Sequence, residues 1–195
     1  MSDADLQRDL AVAGRSLERA EKTRHAAAGA HDPTATPYFV LEGLLGGLDL
    51  GADSHLLDVG CGAGRVLAYF VDAALPGRVT GVELDPALAE EAAAWSARYP
   101  NVRVVEGSVL DLPLADYTHV YLFNPFDTPV LTAFLDRLER EAVGPVTLVH
   151  MSDNGEWPAY VGRPHWAPLR EGAFELPGGE GDCPQHFSIR RLDFT

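Results

Sequence analysis

The chain is poor in cysteine, in basic residues and in long apolar runs, and each shortage excludes a class of protein. Cys61 and Cys183 are the only two cysteines, too few for a disulfide framework or for a structural zinc site without several histidines. The histidines, at 25, 31, 55, 119, 150, 165 and 186, are scattered, and none forms an HxxxH or HExxH pair, so no metal site is expected. No apolar run approaches the roughly 18 residues of a membrane helix. The opening MSDADLQRDL has no apolar signal region, and a cytoplasmic protein without a membrane partner is the expectation. Fifteen Lys and Arg face 29 Asp and Glu, a net charge of −14. Residues 1–30 balance five acids against five bases, so the excess lies in the rest. An acidic surface without a basic run repels phosphate backbones. Nucleic acid is therefore disfavoured as a partner, and a small-molecule or protein substrate is expected. The sequence leaves the oligomeric state open.

What is present reads as one globular domain: 195 residues, 46% of them apolar and 23% charged. Residues 3–28 space Leu6, Leu10, Ala13, Leu17 and Ala20 as an amphipathic helix. HDPTATPY (31–38) breaks it, and 39–48 suggests a second short helix. Strand-like and helical stretches then alternate: strands at 55–59, 78–84, 102–107, 117–123 and 145–151, helices at 65–75, 86–99 and 128–142. That alternation predicts an α/β fold with a doubly wound, mainly parallel seven-stranded sheet. Strands at 174–176 and 185–194 add a C-terminal antiparallel hairpin, with PGGEGDCP between them. The single domain 1–195 divides into an N-terminal helical cap (1–50), a cofactor-binding core (51–150) and a C-terminal hairpin with substrate-side loops (151–195).

LLDVGCGAGR (56–65) carries most of the functional information. In an open α/β sheet ligands bind beyond the carboxyl ends of the strands, where the strand order reverses. Gly60, Gly62 and Gly64 fall there, after the first strand, and let a ligand approach the backbone at a helix N-terminus. The spacing is GxGxG, whereas a dinucleotide fingerprint is GxGxxG. Asp58, just before the loop, does little for an anion but suits an ammonium or sulfonium centre. Nineteen residues after Gly64, the second strand ends in Glu83, placed to accept both hydroxyls of a ribose and to repel a 2′-phosphate.

DVGCGAG followed by VTGVELDP resembles motif I and the next motif of class I S-adenosylmethionine-dependent methyltransferases, and the resemblance covers roughly residues 35–150. It implies S-adenosyl-L-methionine as cofactor. The loop with Gly60, Cys61, Gly62 and Gly64 would hold the methionine part, Asp58 its amino group, and Glu83 and Leu84 the ribose side. VVEGSVLDLPL (104–114) resembles the adenine-lining motif. It has Ser108 where the family usually has an acid, so Ser108 and Val109 are expected at adenine, with Asp111 a substitute.

VYLFNPFDTP (120–129) resembles the Asn-Pro-Pro-Tyr/Phe motif of amino-methyltransferases, with Phe126 in place of the second proline. The resemblance implies that Asn124, Pro125 and Phe126 position an acceptor amine and that Asn124 also borders the cofactor. An oxygen or carbon nucleophile would need a base. His150, ending the fifth strand, and His31 are the candidates. PTATPY with NPF also resembles a little-characterised bacterial methyltransferase group with PTPY upstream, which implies that Tyr38 covers the cofactor. The N-terminal helix suits either a lid or a packing face; Trp157 and Trp166 suit either a substrate loop or the core. The function expected is methyl transfer to a small molecule or a protein side chain, at an amine held by Asn124. The rivals are aminopropyl transfer, for which only Asp127 offers support, an NAD-dependent oxidoreductase, disfavoured by GxGxG, and a non-catalytic S-adenosylmethionine-binding protein.

Overall fold

The computed structural model describes residues 2–19, 22–151, 157–175 and 184–194. They form five α-helices and seven strands, with strand and helix alternating from the first strand to the third and from the fourth to the fifth. The strands are β1 (His55–Val59), β2 (Arg78–Glu83), β3 (Val102–Glu106), β4 (His119–Phe123), β5 (Val146–Met151), β6 (Trp166–Phe174) and β7 (Gln185–Leu192). They form one sheet in the order β3-β2-β1-β4-β5-β7-β6. β1 to β5 pair in parallel, while β7 runs antiparallel to β5 and to β6. The strand order reverses between β1 and β4, which fixes the place of a ligand cleft.

The helices are α1 (Asp3–Ala13), α2 (Tyr38–Leu45), α3 (Arg65–Asp72), α4 (Pro86–Ser96) and α5 (Thr128–Glu141). Asp85 and Asp127 accept N–H bonds at the starts of α4 and α5, with Pro86 and Pro129 in the first turns, positions where a missing N–H costs nothing. The pleat sorts the strands into two cores. Leu56, Tyr121, Val149 and Met151 face α2 and α3; Leu57, Val59, Leu122 and Leu148 face α5 with its Leu131, Phe134 and Leu138. The hairpin's first strand is longer than the sequence suggested and begins at Trp166, which is buried and donates to Glu139. The PGGEGDC part of the intervening stretch lies outside the described residues, as does the Trp157 side chain.

The cap departs most from expectation. The apolar spacing continues past residue 13, but the helix ends there because Gly14 turns left-handed at φ 73°. Leu17 N–H is then captured by Asp9 Oδ2 at 2.9 Å instead of continuing the helix. Asp9, fully buried, also accepts from Arg65 Nη2 at 2.7 Å and from the Tyr38 hydroxyl at 3.0 Å. Arg65 bonds Glu18 as well, at 3.0 Å. This network pins α1 and the chain after it onto the first turn of α3. Segment 22–36 then runs as an irregular strap, with one 3-10 turn at Ala26–Ala28. It closes on β4: Ala30 bridges Phe126, His31 N–H donates to the Pro125 carbonyl at 3.0 Å, and Asp127 N–H donates to the Gly29 carbonyl at 2.9 Å.

Removing Asp9 leaves the Arg65 guanidinium buried with one carboxylate fewer. Asp9→Ala is expected to lower unfolding free energy by about 3–5 kcal/mol, read from urea denaturation. A loss below about 1 kcal/mol, the scale of an exposed ion pair, would show that the cap is held by its apolar contacts instead.

Candidate functional site

At the switch point, between the glycine loop and the strap, lies a cavity of about 280 Å³, on the scale of small-molecule sites. Its floor is Asp58 and Tyr121, from the ends of β1 and β4. One wall is the glycine loop with Glu83, Leu84, Ser108 and Val109 from the neighbouring loops; the opposite wall is the strap with Arg65. Pro125 and Phe126 close the β4 end.

The loop's bare backbone has direct causes. A side chain on Gly60 would place its Cβ 2.8 Å from Pro125 Cβ, so only glycine lets the loop and the β4 turn meet. Gly64, at φ 95°, lies against the Trp95 ring, whose indole N–H donates to the Ala63 carbonyl at 2.9 Å. The Gly62 N–H donates to Glu83 Oε2 at 2.8 Å, and Asp85 N–H donates to Oε1 at 2.9 Å. Glu83 therefore braces the glycine loop across the β1–β2 boundary, which the sequence did not suggest.

Asp58 is the opposite case. It is 2% exposed, and its Oδ2 has no hydrogen-bond partner among the described residues. Burial, and then the nearby Glu83 carboxylate, push its pKa far above the carboxylate range. The same two acids, after burial itself, push the Cys61 thiol up. A lone buried carboxylate is costly unless a cation meets it, and the ammonium end of a methionine moiety meets that need. The donor set fits S-adenosylmethionine on this ground.

Of the expected site residues, the structure brings Asp58, Gly60, Cys61, Gly62, Glu83, Leu84, Ser108, Val109, Pro125 and Phe126 to the cleft. His31 joins them at the strap, its Nδ1 2.9 Å from the Asn124 carbonyl oxygen. Others lie elsewhere. Tyr38 is 2% exposed, in the network with Asp9 and under the Arg8 guanidinium, so it packs the cap and does not cover the cleft. His150 sits at the expected end of β5 but on the wrong face: its register partner is Leu122, one residue from Tyr121, so the two-residue pleat turns it toward α5. There it is fully buried 3.0 Å from the Tyr160 hydroxyl. Burial and the Arg190 charge hold its pKa down to about 3, which removes it as a base for the cleft. Gly64 and Asn124 do not line the cavity, and Asp111 is exposed away from it. Asn124 turns left-handed at φ 42°, with its amide oxygen buried and without a partner among the described residues. Reading by motif missed Arg65, Thr36 and Tyr121; Thr36 stands inside the PTATPY stretch quoted for Tyr38.

Comparison with known proteins agrees with this geometry. Residues 56–141 match the methyltransferase domain family. The matched stretch runs from β1 through α5. Among curated proteins, ribosomal RNA small subunit methyltransferase A of Geobacter sulfurreducens is 32% identical over 96 residues, 44% of this chain and 34% of that protein. The chain thus spans about a third of that relative's length. The fold is shared with an RNA methyltransferase of Salinibacter ruber in complex with S-adenosyl-L-homocysteine: TM-score 0.60, 21% identity, 82% of this chain and 93% of that one. It is shared also with the tRNA methyltransferase TrmK of B. subtilis: TM-score 0.61, 10% identity, 75% and 62%. S-adenosylmethionine is the cofactor of this domain. Aminopropyl transfer and cofactor binding without turnover are not favoured by these matches. They also overturn the expectation that set nucleic acid aside, since relatives in sequence and in fold are named as RNA methyltransferases. The net charge misled because it averages over the molecule: Lys22 and Arg24 are exposed at the cleft mouth with no ion pair to a described carboxylate. No helix among the described residues is long and apolar enough to cross a membrane.

A carboxyl group whose folded pKa lies above its unfolded one withdraws stability as pH rises from the unfolded value toward the folded one. Asp58→Asn is therefore expected to raise the melting temperature, with a larger gain at pH 7 than at pH 4, while weakening S-adenosylhomocysteine binding. An unchanged or lower melting temperature at pH 7 would mean that Asp58 is satisfied in the free protein.

Proposed function

We propose that the chain transfers a methyl group from S-adenosylmethionine to a planar amine nitrogen of an RNA base. The observation that carries the RNA part is the 32% identity to a ribosomal RNA methyltransferase. Bound in the cleft, S-adenosylmethionine supplies a methyl group on a sulfonium, open to in-line displacement. Asp58 takes the ammonium end, Gly60, Cys61 and Gly62 close over the methionine part, and Glu83 uses the lone pairs left by its two backbone bonds for the ribose hydroxyls. Leu84, Ser108 and Val109 flank the adenine.

On the acceptor side, Asn124, next to the cleft-lining Pro125, has a buried Oδ1 with no partner among the described residues, which an amine N–H could reach only if the turn after β4 shifts to expose it. The Pro125 carbonyl, the second acceptor that the motif resemblance implies, is already taken by His31 N–H. Phe126 supplies a ring beside the acceptor. An amine nucleophile needs its lone pair and little general base, which accords with His150 standing outside the cleft. Lys22 and Arg24 lie where phosphates flanking the target base would pass.

With S-adenosylmethionine carrying a labelled methyl group, the label is expected in RNA and, after digestion, on a base nitrogen. Asn124→Ala is expected to lower kcat by about 10²-fold, the scale of losing one positioned polar contact, with S-adenosylhomocysteine affinity kept. Label confined to protein or small molecules would sink the RNA reading. Replacing Lys22 and Arg24 with Ala should flatten the salt dependence of single-stranded RNA binding by about 1.4 log units per log unit of salt. An unchanged slope would place the phosphate path elsewhere.

A further inference from the structure

The cleft holds a second buried polar pair outside the glycine motif. Tyr121 is the register partner of Asp58 across β1 and β4, so both side chains leave the same face of the sheet. The Tyr121 hydroxyl lies 2.8 Å from Thr36 Oγ1. Tyr121 is 1% exposed and Thr36 3%, and both line the cleft. Two hydroxyls carry two hydrogens, and their mutual bond uses one. The other O–H has no acceptor among the described residues. A buried donor left over is as costly as a buried acceptor left over, and Asp58 Oδ2 is such an acceptor beside it. Together they match the two ends of an α-amino acid, the acid meeting the ammonium and the O–H meeting the carboxylate.

We propose that the Thr36–Tyr121 hydroxyl pair reads the carboxylate of the cofactor's methionine end and makes the cleft prefer S-adenosylmethionine to its decarboxylated form. The inference rests on the cofactor reading above. The surroundings hold the pair in place. Arg65 Nη1 lies 3.5 Å from the Ala35 carbonyl, next to Thr36, and belongs to the same wall. Its charge is matched by Asp9 and Glu18, so it fixes position without supplying a free cation. Tyr38, two residues after Thr36, is tied at its N–H to Asp5 and at its hydroxyl to Asp9. The PTATPY stretch thus anchors through its tyrosine and presents its second threonine to the cleft. Phenylalanine at 121 together with valine at 36 would keep the packing and delete the donor.

The test is calorimetric titration of two ligands, S-adenosylhomocysteine and decarboxylated S-adenosylhomocysteine, which lacks only the carboxylate. The proteins are wild type, Thr36→Val, Tyr121→Phe and Thr36→Ser. Wild type is expected to prefer the carboxylated ligand by about tenfold, the scale of a hydrogen bond to a charged group. The combined Thr36→Val/Tyr121→Phe protein should lose most of that preference by weakening for S-adenosylhomocysteine alone, while each single variant, which keeps one hydroxyl donor, should lose only part of it. Thr36→Ser, which keeps the hydroxyl, should retain it. Binding of the decarboxylated ligand reports that each variant is folded, and the combined Thr36→Val/Tyr121→Phe protein, which orphans neither partner, replaces a single variant that is not. Equal losses for both ligands, or a preference that survives both replacements, would overturn the proposal. A wild type that binds neither ligand would overturn the cofactor reading and the proposal with it.

Discussion

The structure depends on one buried ion pair. Arg65 and Asp9 meet at 2.7 Å with side chains 2% and 0% exposed. Such a pair is stable only if every remaining donor and acceptor is satisfied, and here Asp9 Oδ1 takes Arg65 Nε and the Tyr38 hydroxyl while Oδ2 takes Arg65 Nη2 and Leu17 N–H. Arg65 opens α3 directly after the glycine loop. The residue that starts the cofactor helix is therefore the one that holds the cap. Loop, strap and anchor share a single constraint, and the cleft is what lies between them.

Within that frame two acids take opposite parts. Glu83 spends both oxygens on backbone N–H groups and stiffens the loop, so the loop's shape precedes any ligand. Asp58 Oδ2, buried and without a hydrogen-bond partner among the described residues, makes ionisation costly, a cost that a proton or an incoming cation relieves. One strand apart, one acid is held by backbone N–H groups and the other has a carboxylate oxygen left open.

The core was legible because its signals are local. Strand and helix alternation, GxGxG after β1, and Glu83 at the end of β2 depend on short spacings that the parallel sheet converts directly into position. Failures came where position depends on the chain far away. His150 was placed at the right strand end, but which face it takes depends on the pleat parity of the whole strand. The helical spacing past Ala13 was real, yet a buried Asp9 captured Leu17 N–H first. Tyr38 and Thr36 stand two residues apart in one motif, and only the Asp9 network decides which of them turns inward. Net charge failed for another reason: a sum over 195 residues says little about the few cations at one opening.

The strap's closure also bears on how the molecule is made. His31 meets the Asn124 carbonyl across 93 residues of chain, and Arg65 meets Asp9 across 56. During synthesis the cap leaves the ribosome before either partner exists, and the two closures wait for different lengths of chain. The Arg65 anchor can form once the start of α3 has been made, whereas the strap contact needs the residues that follow β4. The anchor is thus available to the growing chain well before the strap closure is.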